Sequence, residues 1–213
     1  MQILEIHRQK SYFEVTTDAA VYEIDGSLLR EYRLSAGSDA DEALLQELHD
    51  RSRYRRAYQR ACYLLDERDY SYAMLYRKLM QTYRDKALCK RVCDKLNDAD
   101  LIDDRRYAEK CAEYLVERKK YGIYRAKQEM LHRGLDKSLV ENALADLEDT
   151  AEDNLPAVLE KKYGRLLTDP KDFKTRQKVI AGMARLGYNF QSVKNAIEDY
   201  FADWEDEDED EDE

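Results

Sequence analysis

Residues Tyr70 to Leu96 can be laid over Tyr121 to Leu147 at one constant offset, and this internal repeat constrains the fold more than any other feature of the chain. Tyr70 falls on Tyr121, Leu79 on Met130, Asp85 on Asp136, Leu88 on Leu139 and Leu96 on Leu147. Matches at so many positions with a single offset are hard to obtain by accident in unrelated helices. A weaker third copy comes later at a slightly longer offset, with Met183, Gly187, Val193 and Ile197 on Met130, Gly134, Val140 and Leu144. Each copy reads as three helices: a long one, a second ending near Gly134 or Gly187, and a third opened by Asp85, by Asp136 or near Asn189. A three-helix unit of this size buries little by itself, so the copies are expected to stack and share a core in an elongated array.

The rest of the composition agrees with helices. Only 7 glycines and 2 prolines, with 38% charged residues, leave little material for turns. The N-terminus differs: Leu4 and Ile6, then Tyr12, Phe13 and Val15, then Val21, Tyr22 and Ile24 form short apolar, β-branched runs that read as two or three strands. A sheet that small must pack on the helices next to it in the chain. The fold class is therefore mainly α, with tandem helix-turn-helix-like units behind a small N-terminal β region. The expected divisions are 1–37 for the β region with a short helix, 38–57 for connector helices, 58–100, 101–148 and 149–203 for three repeats, and 204–213 for a disordered acidic tail.

Helix starts are marked by oxygen-bearing caps. Asp25 precedes Leu28, Leu29 and Tyr32, and Ser38 opens a capping box with Asp41 before Leu44, Leu45 and Leu48. Ser71 precedes Leu75 and Leu79, Asp85 precedes Leu88 and Val92, and Asp103 or Asp104 precedes a stripe of Tyr107, Cys111, Tyr114 and Leu115. Ile123, Ala126, Met130 and Leu131 form the next stripe, which stops at Gly134, a residue able to take positive φ. Asp169-Pro170 reads as a cap with proline in the first turn.

Charge is segregated. The formal net charge is −10, but Glu205–Glu213 is an unbroken acidic run, so the body is close to neutral and an acidic pI does not exclude a polyanionic partner. Arg51–Arg60 is the densest cationic run, with Tyr54, Ala57, Tyr58 and Ala61 facing inward. Around Leu101–Leu135 the outer faces carry Arg105, Arg106, Arg118, Lys119, Lys120, Arg125, Lys127 and Arg133, which are the candidate residues for binding a partner or DNA. Cations on amphipathic helices commonly serve only to solvate the surface, but clustering at one helix junction raises a contact role to even weight.

Other chemistries find no support. No apolar run approaches the roughly 18 residues that cross a bilayer, and MQILEIHRQK lacks the apolar centre of a signal peptide, so a cytoplasmic protein with reduced cysteines is expected. Cys89 and Cys93 lie one turn apart, but a zinc site needs about four ligands and no second pair stands at usable spacing. His7, His49 and His132 adjoin no nucleophile, and there is no Gly-rich phosphate loop. No enzyme activity, cofactor or metal is expected. The many tyrosines mostly recur on apolar stripes and read as packing, with base stacking the rarer use.

Three stretches together resemble the RecX family of recombinase regulators: RDYSYAMLYRKLM (Arg68 to Met80), LIDDRRYAEKCAEYLVERKKYG (Leu101 to Gly122) and GIYRAKQEMLHRGL (Gly122 to Leu135). The family's Asp-Asp pair before an Arg-aromatic-Ala is matched by Asp103, Asp104, Arg106, Tyr107 and Ala108. Its glycine, basic, apolar and glycine pattern is matched by Gly122, Arg125, Met130 and Gly134. Ile123 replaces a frequent proline, Tyr83 stands where the first repeat often has glycine, and the acidic tail lies outside the pattern. The resemblance covers Tyr58 to Phe201 and implies a monomeric protein that binds the RecA filament on DNA in its helical groove. It further implies restraint of filament growth, ATP hydrolysis and strand exchange, within homologous recombination, DNA repair and the SOS response. DNA itself is a second candidate partner. The alternative is a helix-turn-helix transcription regulator, whose three-helix units would enter a major groove.

Overall fold

The computed structural model describes residues 1–210, with side chains as far as Ala202; the tail expected to be disordered, 204–213, lies outside these described side chains. The chain is mainly helical with one small sheet, and it divides into two compact units, Met1–Ile102 and residue 103 onward.

In the first unit β1 (Ile3–Arg8), β2 (Phe13–Thr17) and β3 (Val21–Ile24) form an antiparallel sheet in that order. Val15 pairs with Ile6 on one side and Tyr22 on the other. Alternation puts Val15, Thr17, Tyr22 and Ile24 on the covered face. Three short strands cannot hold together by ladder bonds alone. They are covered by Leu28 and Leu29 of α1 (Gly26–Glu31) and by Leu45 and Leu48 of α2 (Glu42–Glu67). The same long helix then supplies Ala57, Ala61 and Leu64 to a second core with α3 (Tyr72–Tyr83) and α4 (Lys86–Asn97). One continuous helix thus spans the connector and the opening of the first repeat.

The Arg51–Arg60 run is partly consumed by this arrangement. The Arg56 guanidinium pairs with Glu23 and, at 3.4 Å, with Asp25, while Arg53 reaches Asp85 and the Tyr83 carbonyl, each at 3.2 Å. Asp25 therefore starts α1 by position and through its backbone carbonyl, but its side chain answers arginines rather than capping amides. Ser38 is likewise not the cap of α2: its hydroxyl closes a turn on Ser35, and Asp41 accepts from the Leu44 amide. Ser71 and Asp85 cap as expected, accepting from Met74 and Leu88.

The second unit holds the other two repeats. α5 (Asp104–Glu113), α6 (Ile123–His132) and α7 (Lys137–Ala145) enclose Ala108, Cys111, Ala112, Leu115, Ala126, Met130, Val140 and Leu144. Asp103 is the cap of α5, accepting from the Arg106 amide, and Asp136 caps α7. The buried stripe of α5 runs through Ala108 and Ala112, so Tyr114, expected on the inner face, is turned out. In the third repeat the expected long first helix is broken into α8 (Glu148–Asp153) and α9 (Leu155–Tyr163), because Pro156 has no amide to continue the ladder. α10 (Phe173–Arg185) and α11 (Phe190–Asp210) complete a core of Leu155, Leu159, Val179, Met183, Val193 and Ile197. Asp169 closes a turn on Lys171, and Asp172 is the cap of α10 instead, accepting from the Lys174 and Thr175 amides.

Candidate partner-binding surface

The segment from Tyr114 to Arg125 is built by an interruption of helix geometry. After α5 the Lys119 amide donates to the Tyr114 carbonyl at 3.0 Å, an i→i+5 bond that makes Tyr114–Arg118 a π-helical turn. Such turns insert a residue into the ladder and recur at functional sites. The chain then leaves through Lys120, whose φ of 54° places a side-chain-bearing residue in the left-handed region. That conformation costs about 1–2 kcal/mol and needs surroundings that hold it.

Those surroundings come from the third repeat. The Tyr188 hydroxyl donates to the Lys120 carbonyl at 3.0 Å, the Lys120 ammonium donates to Asn154 Oδ1, and Asn154 Nδ2 donates to the Val116 carbonyl at 3.2 Å. Tyr188 is buried, which pushes its hydroxyl up to about 12 and keeps it a donor at neutral pH. Next along the chain, the Gly122 amide donates to the Leu186 carbonyl at 2.9 Å and the Tyr124 amide to Gly187 at 3.3 Å. A Cβ on Gly122 would fall on the Gly187 carbonyl, and one on Gly187 would meet the Arg125 backbone. Gly187, at φ +92°, is where the turn after α10 presses against the start of α6.

The cationic candidates separate on this frame. Arg118 and Lys119 are exposed beside it, with the Lys119 ammonium 5.5 Å from the ring of Tyr114. Tyr114 is 45% exposed and Tyr124 68%, so two aromatic rings join the two cations. Lys120 and Arg125 also lie at the junction but are engaged within the fold: Arg125 stacks 4.1 Å over Tyr121 and donates to the Arg185 carbonyl at 3.2 Å. Lys127 reaches Glu141 at 2.7 Å. Arg133 points inward, donating to Cys111 Sγ at 2.9 Å and to the Tyr107 hydroxyl at 3.4 Å. Arg105 and Arg106 are exposed at the far end of α5, about 20 Å from Arg118 at 1.5 Å per residue, and Arg105 pairs with Glu109 at 3.4 Å.

The structure therefore gathers Arg118, Lys119, Lys120 and Arg125 and leaves Arg105, Arg106, Lys127 and Arg133 apart from them. It also adds residues that sequence reasoning passed over. Tyr114 and Tyr124 gave no signal distinct from core tyrosines, and Asn154 showed itself only as the residue ahead of Leu155-Pro156. The surface can attract and stack on a partner, but offers no reacting group. Among the described residues no cluster of His, Cys, Asp or Glu is placed to hold a metal ion. The Cys93 thiol is buried and pushed up to about 12, and Cys89 and Cys111 are raised by the same burial, which suits packing rather than reactivity. No helix of the described residues is long and apolar enough to cross a membrane.

The family description "RecX, second three-helix domain" matches residues 103–144, the segment that carries this junction. The chain is 27% identical over 171 residues to the regulatory protein RecX of Clostridioides difficile, covering 80% of each chain. It is 29% identical over 165 residues to that of Serratia proteamaculans, covering 66% of this chain and 95% of the relative. A crystal structure of regulatory protein RecX superposes with a TM-score of 0.67 at 21% identity, covering 93% of this chain and 98% of the other. That of RecX from Lactobacillus salivarius gives 0.61 at 19% identity, covering 70% and 97%. The fold is thus shared with solved structures titled RecX, and over most of its length the chain is similar to proteins named regulatory protein RecX.

Proposed function

We propose that this protein regulates RecA recombinase by binding its filament on DNA in the helical groove, as a cytoplasmic monomer without chemistry of its own. Bound there, it restrains filament growth, ATP hydrolysis and strand exchange. The observation that carries the reading is the braced junction at 114–125 inside the family-matched segment, where Arg118, Lys119, Tyr114 and Tyr124 are exposed. Exposed cations suit a partner wound on phosphates, and aromatic side chains at the centre of a contact supply area at small entropic cost. A rigid frame also lowers the ordering cost of association.

The transcription-regulator reading gains nothing from the same segment. α7, which stands where a recognition helix would, has the sequence KSLVENALA, whose one cation, Lys137, sits 3.8 Å from Glu141.

The test is DNA-dependent ATP hydrolysis by RecA with this protein added below stoichiometry. Inhibition is expected, and the double variant Arg118→Glu/Lys119→Glu should need about tenfold more protein, equal to about 1.4 kcal/mol, with an unchanged circular dichroism spectrum. Hydrolysis that ignores the wild-type protein defeats the reading; equal potency of the variant moves the contact surface elsewhere.

A further inference from the structure

α10 and α11 of the third repeat enclose a groove of about 650 Å³ that no residue of the junction lines. Its α10 wall keeps strict helical spacing through Phe173, Ile180, Ala181 and Ala184, and its α11 wall through Phe190 and Ile197. The two alanines carry almost no side chain and recess the wall. The two phenylalanines stand out at 73% and 59% exposure, large apolar groups that a solitary surface normally avoids grouping.

The second repeat is built differently at these positions. At the positions that align with Ile180 and Lys194 it carries Lys127 and Glu141, which close across the same pair of helices at 2.7 Å. The third copy carries no ion pair at these positions, so its groove is not dictated by the repeat pattern.

Charge says what the groove admits. α10 reads FKTRQKVIAGMAR, with Lys174, Arg176, Lys178 and Arg185 and no acidic residue. α11 adds Lys194, 5.8 Å from the Phe190 ring, before its first acid, Glu198, which is held 3.7 Å from Arg176. The groove is thus lined by Ile180 and Ile197 between Arg176 and Lys194, with Glu198 answered by Arg176 and the exposed Lys174 and Lys178 on the same helix, a balance of charge that favours an acidic ligand over a second copy of this face.

We propose that this groove is a docking site for an acidic amphipathic helix of a protein partner. The stripe from Phe173 to Ala184 spans about 16 Å, so the ligand inserts about three turns, with large apolar side chains at i, i+4 and i+7 over the two alanines. Its flanking carboxylates face Arg176, Lys194 and the exposed lysines of α10. The site is separate from the junction and does not depend on what the junction binds.

The test is a selection of phage-displayed random 16-residue peptides on the immobilised full chain, with titration of the enriched peptides and hydrogen-exchange mapping. Enrichment of acidic, amphipathic sequences that protect α10 and α11 is expected. Ala181→Glu and Ala184→Glu, both at exposed positions, should each weaken them at least tenfold while leaving the circular dichroism spectrum unchanged. No enrichment, enrichment of basic or featureless peptides, or equal binding to both variants overturns the proposal. Self-association of the wild-type chain that Ala181→Glu abolishes, seen by sedimentation velocity, overturns it in favour of a second copy.

Discussion

Gly187 and Gly37 share a positive φ, +92° and +84°, yet stand in opposite circumstances. A Cβ on Gly37 would meet nothing within 4 Å, whereas one on Gly187 would strike the backbone at Arg125. Gly37→Ala is expected to cost only the left-handed penalty, about 1 kcal/mol. Gly187→Ala adds overpacking, bringing the loss to about 3 kcal/mol and lowering Tm by roughly 10 °C in a chain of this length. Thermal denaturation of the two variants checks this; equal shifts would mean that the turn at Gly187 does not press on α6. A glycine's role as a helix terminator was legible at Gly134 and Gly187 from spacing alone. That Gly187 also admits a neighbouring backbone was not, because nothing in the local sequence records who approaches it.

At the scale of elements, caps were readable at Ser71, Asp85 and Asp136, the choice left open between Asp103 and Asp104 fell on Asp103, and at Asp25 the side chain pairs with Arg56 instead of capping. They were misread at Ser38 and Asp169, where another aspartate came soon after and the first residue closed a turn instead. The π-helical turn after α5 left no mark in the sequence, since its extra residue is accommodated by contacts with Asn154 and Tyr188. One tie between elements is sensitive to pH. The Glu23 amide of β3 donates to His49 Nδ1 of α2 at 2.8 Å, so the ring must stay neutral. Burial, with Arg53 beside it, lowers the His49 pKa below 6.5. The unfolded chain then binds the proton more readily than the folded one, and stability falls as pH drops through 6.5 toward the folded value. Chemical denaturation at pH 7.5 and pH 5.5 should show that loss, and His49→Gln should flatten the slope; an unchanged slope would remove His49 as its source.

Across the whole molecule the acidic run Glu205–Glu213 offsets an otherwise nearly neutral chain. Competition of those carboxylates with phosphates for Arg118 and Lys119 would be confined by salt to short range, and this sets the expected salt dependence. Deleting Glu205–Glu213 is expected to tighten binding to DNA-bearing filaments several-fold near 50 mM salt and hardly at all near 500 mM. A fluorescence anisotropy titration at both concentrations checks it, and identical affinity at low salt leaves the run a solubility device.

The amino-acid sequence by itself determined the helical class, the small N-terminal sheet, the repeated three-helix units and their apolar stripes, because those arise from periodicity and capping within a few residues. Only the tertiary structure decided which of the eight candidate cations stand exposed and which are engaged within the fold. The acceptors that draw Lys120, Arg125, Lys127 and Arg133 into the fold lie 34, 60, 14 and 22 residues away along the chain. A charge pattern read locally cannot see a carbonyl, carboxylate, amide or thiol that folding brings from that distance.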